Sequence, residues 1–216
     1  MKMKPKKNDF IKALAGLKVK KQVVEAITSL DREAFFDPTF RDRVYSLEQI
    51  PIGLGQKSED PIILAKMIDR FYPHKNWKVL EVGSGSGFST AALASLVKEV
   101  VTVEFHEELA LSAKEKVISN GHRNVRFFSG DATDLGEKLG SFDGIIIYAA
   151  CTQTPFSLVS LLKTNGAAVF PMGPPHQQQI TRFVNAPCEG LDIKNFKFFD
   201  FCFFDSIKGK YGWTEK

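Results

Sequence analysis

The residues best suited to chemistry gather in Leu80-Glu81-Val82-Gly83-Ser84-Gly85-Ser86-Gly87, followed by Glu104 and by Gly130-Asp131-Ala132. Glycines at alternate positions let a backbone turn tightly and come close to a ligand. Their spacing does not fit a dinucleotide fingerprint. Counted from Gly83, the third glycine of Gly-x-Gly-x-x-Gly falls on Phe88, and counted from Gly85 it falls on Thr90. Glu81, an acid just ahead of the turn, suits an ammonium group better than a pyrophosphate. Glu104 is placed to accept hydrogen bonds from two ribose hydroxyls, and Asp131 to border an adenine or receive its amino group.

Holding three acids at one edge requires a sheet, and the flanking periodicity supplies one. Lys78–Val82, Val100–Phe105, Val125–Phe128, Gly144–Tyr148 and Ala167–Phe170 are predicted strands. Between them lie predicted helices over Ser89–Val97, from Glu107 to Asn120-Gly121, and from Thr154-Pro155 to Asn165-Gly166. Strands alternating with helices imply an α/β fold of Rossmann-like type, a mostly parallel central sheet with helices on both faces. Ligands bind such sheets beyond the carboxyl ends of the strands. Ile180–Val184 and Phe196–Phe204 have no helix between them, so an antiparallel C-terminal hairpin is expected at one edge. The phenylalanines at 196, 198, 199, 201, 203 and 204 are read as packing against flanking helices, and Gln177-Gln178-Gln179 as loop.

Ahead of the sheet, Val23, Val24, Ala26, Ile27 and Leu30 share a helical face, Asp37-Pro38 marks a turn, and Tyr45 to Asp60 reads as loop. A further helix has Asp60 as cap and Pro61 at its first position, with Ile63, Leu64, Met67, Ile68 and Phe71 on one side and Tyr72-Pro73 as its stop. The expected organisation is an N-terminal helical extension and lid over residues 1–75 and a cofactor-binding domain over 76–216, forming one compact unit. Acids placed for an ammonium, a ribose and an adenine around a bare turn describe S-adenosyl-L-methionine. Glu81, Gly83, Ser84, Gly85, Gly87, Glu104, Asp131 and Ala132 are its expected contacts.

Composition narrows the rest. Among 216 residues, 44% are hydrophobic and 25% charged, which excludes a disordered or fibrous chain. No apolar run is long enough to cross a bilayer, and Lys2, Lys4, Lys6 and Lys7 lead into no signal core, so a cytoplasmic protein without membrane contact is expected. The net charge of +4 reflects that lysine-rich start, read as a solvated tail; without aromatic-basic interleaving, no nucleic-acid partner is expected. Cys151, Cys188 and Cys202 form no C-x-x-C element and are read as buried, reduced thiols. His74, His106, His122 and His176 are read as surface residues. Asp143 is read as preceding its strand, and with Asp131 and Glu104 on different strands no metal is expected.

Beyond the glycine turn, the chain resembles the protein-L-isoaspartate O-methyltransferase family. The matching segments are Arg32-Glu33-x-Phe35, Ile50-Pro51-Ile52-Gly53-Leu54-Gly55-Gln56, Leu80 to Gly87, Gly130-Asp131, Phe142 to Ala150, Pro171-Met172-Gly173 and Gly209-Lys210-Tyr211-Gly212-Trp213. They cover nearly the whole chain from Val19. The turn is common to many methyltransferases, whereas the Pro-Ile-Gly-x-Gly-Gln loop is specific. The resemblance implies a class I methyltransferase fold and methylation of isoaspartyl carboxylates in damaged proteins. It also implies that the loop from Ile52 to Pro61, with Gln56 and Lys57, covers the cofactor and helps to recognise the substrate. A monomer with isoaspartyl proteins or peptides as partners is expected.

One departure stands out. The family has Gly-Gln-Thr-Ile-Ser where this chain has Gly55-Gln56-Lys57-Ser58-Glu59, so Glu59 occupies the serine position and Ser58 is displaced by one. A serine hydroxyl can donate to an incoming carboxylate; an ionised glutamate repels it. Three readings follow: Ser58 takes the role, Lys57 compensates, or the acceptor differs, with a non-catalytic cofactor-binding homologue as a further alternative. Ser58 and Glu59 are accordingly the candidate catalytic residues. No Ser-His-Asp or Cys-His constellation is present, and none is needed. A carboxylate of ordinary pKa, about 4, is already ionised at neutral pH, so the work is positioning for in-line displacement.

Overall fold

Apolar spacing near the N-terminus produces two short helices, α1 (Lys7–Ala15) and α2 (Lys21–Thr28), in a computed structural model that describes residues 5–187 and 193–213. Val23, Ala26, Ile27 and Leu30 are buried as the spacing predicts. Two 3₁₀ turns follow, Arg32–Phe35 and Pro38–Phe40, capped by the side chains of Asp31 and Asp37. The segment read as loop contains a small antiparallel hairpin, β1 (Pro51–Gly53) with β2 (Gln56–Lys57), turned by Leu54 and by Gly55 at φ 72°. Asp60 then caps α3 (Pro61–Phe71), its carboxylate accepting from the backbone N–H groups of Ile62 and Ile63 at 2.7 and 3.1 Å. Tyr72 ends that helix in the left-handed region, φ 59°.

The central sheet runs through β3 (Lys78–Val82), β4 (Glu99–Glu104), β5 (Val125–Ser129), β6 (Phe142–Ile147), β7 (Leu162–Met172), β8 (Gln178–Val184) and β9 (Phe196–Cys202). Their spatial order is β5-β4-β3-β6-β7-β8-β9, parallel through β7 and antiparallel from β7 to β9. The fold is therefore the expected Rossmann-like sheet with an antiparallel C-terminal edge. Order reverses between β4 and β6 on either side of β3, which makes the exit of β3 the switch point. Helices α4 (Phe88–Ala94) and α5 (Glu107–Ser119) connect β3 to β4 and β4 to β5, with the single turns α6 (Ala132–Leu135) and α7 (Phe156–Val159) further on. Val79 and Ile146 belong to an apolar cluster shared with α3, α4 and the N-terminal helices; Leu80, Val82 and Ile145 belong to the cluster on the other face.

Several sequence expectations are corrected. Helix α4 stops at Ala94 rather than Val97. The helix expected to run to Asn165-Gly166 is only the turn α7, because Leu162 already pairs with Phe142 in the sheet and Asn165 adopts a left-handed φ of 63°. Asp143 lies inside β6, not before it; it accepts from the Lys78 N–H at 2.8 Å and pairs with Lys163 at 2.8 Å. Gln178 and Gln179 are strand rather than loop, and the buried Gln178 side chain bridges to Phe204, accepting from its N–H at 2.8 Å and donating to its carbonyl at 3.0 Å. The phenylalanine run is only half inside: Phe204 is buried, whereas Phe198, Phe201 and Phe203 are exposed along the edge strand β9 and just beyond its end, where a register shift lies between Gln179 and Thr181 of its partner. Cys151 and Cys202 are buried and free, as read; Cys188, Lys2 and Lys4 lie outside the described residues.

Candidate functional site

Gly83, Gly85 and Gly87 have φ of 92°, 50° and 86°, a backbone path that side-chain-bearing residues avoid. The turn is anchored at its start by the Gly83 N–H, which donates to the Val103 carbonyl at 2.8 Å. At its middle the Gly85 N–H donates to Glu104 at 3.0 Å, and the other Glu104 oxygen accepts from the His106 N–H at 3.1 Å. Two backbone donors from two segments thus fix the carboxylate at the tip of β4, where it is only 7% exposed. A Cβ on Gly85 would lie 3.2 Å from Ile52 Cδ1, so the β1–β2 hairpin closes directly over the turn.

One pocket opens at these strand ends. The hairpin segment contributes Ile52, Gln56, Lys57 and Glu59 as a roof, and Gly83 with Gly85 forms the floor. Glu104, Phe105, His106 and Leu109 make one side; Gly130, Asp131 and Ala132 make the next. Tyr148, Ala149, Ser206, Ile207 and Lys208 close the remainder. Asp131 is oriented by capping α6, accepting from the Thr133 N–H and hydroxyl at 2.8 Å each. The C-terminal segment is tied to the strand ends by Ala150 and Ile207, whose N–H groups donate to Asp205 and Ala150 carbonyls at 2.8 and 2.9 Å. It is also tied by Tyr211, whose hydroxyl accepts from the Ser157 N–H at 2.9 Å.

Of the residues singled out in the sequence, Gln56, Lys57, Glu59, Gly83, Gly85, Glu104, Asp131 and Ala132 line this pocket together. Four do not. Gly87 instead lets α5 approach: a Cβ there would lie 3.0 Å from Val117 Cγ2 and 3.1 Å from the Ala113 carbonyl. Ser84 is fully buried within the turn. Ser58 is buried too, its hydroxyl accepting from the Ile50 N–H at 3.0 Å and donating to the Glu59 carbonyl at 3.3 Å, so it clasps the base of the hairpin and does not face a substrate. Glu81 lies beneath the turn, wholly buried, one oxygen accepting from the Thr90 and Thr102 hydroxyls at 2.6 and 2.7 Å. Strand alternation explains this, for Glu81 shares the α4 face with Val79 while Val82 turns to the pocket.

Sequence reasoning missed Tyr148, Lys208 and the role of Arg32, and it read His106 as a surface residue. His106 lines the pocket, and its Nε2 is buried with no partner. Arg32 is 1% exposed, its guanidinium 4.7 to 5.3 Å from the ring centres of Phe10, Phe36 and Phe88. Burial lowers its pKa to about 10, against the attraction of Glu59 and Asp60, which leaves it charged at neutral pH. Burial raises Glu59 to about 7, opposed by Arg32 and reinforced by Glu104. The same cause lifts Glu81 to about 8, opposed by its two threonines and reinforced by Glu59. Burial also pushes Tyr148 well above its ordinary value, with Glu81 and Glu59 adding to it. Among the described residues no group of histidines, cysteines and acids has the arrangement of a metal site.

The floor and walls fit an adenosyl amino acid: a bare turn for close approach, a fixed acid for a ribose, and, on two of the lining residues, buried polar atoms without protein partners at Tyr148 Oη and His106 Nε2. Comparison with known proteins agrees. Residues 5–201 match the family model described as protein-L-isoaspartate(D-aspartate) O-methyltransferase. The protein-L-isoaspartate O-methyltransferase of Dictyoglomus turgidum is 34% identical over 219 residues, covering 99% of this chain and 96% of the relative. That of Dictyoglomus thermophilum is 36% identical over 204 residues, covering 93% and 89%. A solved protein-L-isoaspartate O-methyltransferase structure superposes with a TM-score of 0.80 at 20% identity, covering 96% of this chain and 67% of that one. A Plasmodium falciparum structure of the same name, holding S-adenosyl-L-homocysteine, gives 0.79 at 20% identity, covering 94% and 97%.

Proposed function

Since the chain belongs to the protein-L-isoaspartate(D-aspartate) O-methyltransferase family, we propose that this pocket holds S-adenosyl-L-methionine and serves the methylation of isoaspartyl carboxylates in damaged proteins. The observation that carries the assignment is Glu104, a carboxylate clamped by two backbone N–H groups beside a positive-φ glycine turn, in one pocket with Asp131. Glu104 accepts the ribose hydroxyls, Asp131 and Ala132 border the adenine, and Gly83 and Gly85 admit the chain that joins sulfur to the amino acid. Bound there, the cofactor supplies an electrophilic methyl group that a carboxylate oxygen takes in line as the carbon–sulfur bond breaks.

The protein's own part is positioning. Ile52 and Gln56 cover the turn and exclude water, which strengthens attraction between unlike charges. Lys57 and Lys208 stand on the pocket wall as the cations able to meet an incoming carboxylate, the role that the clasped Ser58 is not free to take. No general base is required, since the acceptor is already ionised. Residues 1–75 act in this reading as the extension and lid of a domain spanning 76–216, working as a cytoplasmic monomer without nucleic acid or membrane. The free, buried thiols of Cys151 and Cys202 support a reducing compartment. No described helix is long and apolar enough to cross a membrane.

Incubation with labelled cofactor and paired peptides, one isoaspartyl and one aspartyl, tests the assignment. Labelling of the isoaspartyl peptide alone is expected; equal labelling, or none, contradicts it.

A further inference from the structure

With Glu81 turned under the glycine turn, the carboxylate that opens on the pocket from this side is Glu59, at the end of the hairpin segment and just before α3. Groups face it from several elements: Arg32 from the first 3₁₀ turn, Ser89 from α4, Glu104 from β4, and Glu81 and Tyr148 from β3 and the exit of β6. Three carboxyls therefore crowd one buried corner with a single guanidinium. That guanidinium is held by Phe10, Phe36 and Phe88 behind Glu59, where it attracts the carboxylate without filling the pocket. Tyr148, a residue 8% exposed, lines the same pocket, and its hydroxyl is buried within the influence of Glu81 and Glu59 with no protein partner. A corner with surplus carboxylates and an unmatched buried hydroxyl suits a cation bearing several N–H donors, and repels a second carboxylate.

We propose that Glu59 holds the α-ammonium of the cofactor's methionine end, with the Tyr148 hydroxyl accepting from the same ammonium, so that Glu59 is a cofactor-binding residue and does not meet the substrate. The inference rests on the cofactor assignment above and accounts for the exchange of the family's serine for an acid. It also predicts linkage to protons. Burial and the neighbouring carboxyl hold Glu59 near 7 in the empty pocket. An arriving ammonium displaces that proton, so affinity rises as pH increases from about 6 to about 7.5.

Calorimetric titration with two probes tests it: S-adenosyl-L-homocysteine, which carries the ammonium, and 5′-methylthioadenosine, which shares the nucleoside thioether but lacks the amino acid end. Glu59→Gln is expected to weaken S-adenosyl-L-homocysteine at least tenfold, to leave 5′-methylthioadenosine within twofold, and to flatten the pH dependence of the former. Tyr148→Phe should weaken S-adenosyl-L-homocysteine about threefold with the same selectivity, which keeps the test decisive if Glu59→Gln folds poorly. The proposal is overturned by equal losses for both probes in both variants. A raised KM for isoaspartyl peptide with unchanged S-adenosyl-L-homocysteine affinity also overturns it, because Glu59 would then face the acceptor. Failure of the unaltered protein to bind either probe would instead sink the cofactor assignment itself.

Discussion

A side chain that is to read a pair of hydroxyls has to be held before the ligand arrives, and Glu104, which we propose for the ribose, is held by donors from two different segments. Its recognition is charge-assisted, a class of hydrogen bond contributing about 1.5–3 kcal/mol. Glu104→Gln keeps the shape and removes the charge, so calorimetry should show S-adenosyl-L-homocysteine binding weakened at least tenfold. An unchanged affinity would remove Glu104 from the site. This residue was legible in the sequence because a strand-tip acid beyond a glycine turn has few other uses. Glu81 was legible only in part: its identity was plain, but period-two alternation from Val79 already places it on the helix face rather than toward the ligand. Ser58 was not legible at all, since its engagement with Ile50 depends on how the hairpin folds back.

Elements, too, divide into those declared by local pattern and those decided by partners. Helix α3 announces itself through Asp60, Pro61 and an apolar face; α7 and β7 do not, because Leu162 is drawn into the sheet by Phe142 across a register shift that no local spacing records. The C-terminal segment is decided the same way. Gly209 has φ 91°, and a Cβ there would run into the Asp131 carboxylate, so a glycine far along the chain permits a pocket-lining acid to keep its place. Gly209→Ala should therefore lower the melting temperature through roughly 1–2 kcal/mol of backbone strain and also weaken S-adenosyl-L-homocysteine binding. Gly121→Ala provides the contrast: φ is 89° and nothing lies within 4 Å of the added carbon, so stability alone should fall. Equal effects of the two variants on ligand affinity would show that the Gly209 contact with Asp131 has no bearing on the pocket.

Across the whole molecule, Glu81 and Glu59 couple the pocket to stability. Glu81 sits at about 8 and Glu59 at about 7 when folded, against an ordinary value of 4.5 for each. Between those limits the folded chain binds protons that the unfolded chain has released, so stability falls as pH rises, by up to about 1.4 kcal/mol per pH unit for each group. His122 acts in the opposite sense below its ordinary value of 6.5, because burial lowers its pKa. Asp143 and Asp200, both lowered, have completed their contribution well below neutral pH, and the raised thiols of Cys151 and Cys202 enter only in alkaline solution. The window from about 6.5 to 8 thus belongs to the two glutamates. Thermal melts of the ligand-free protein should show a falling midpoint across that window. Glu81→Gln, whose amide oxygen can still accept from Thr90 and Thr102, should raise the midpoint at pH 8 and shallow the slope. Saturation with S-adenosyl-L-homocysteine should shallow it as well, because a bound ammonium lowers the carboxylate pKa values toward those of the unfolded chain. A slope that survives Glu81→Gln unchanged would place the titrating groups elsewhere.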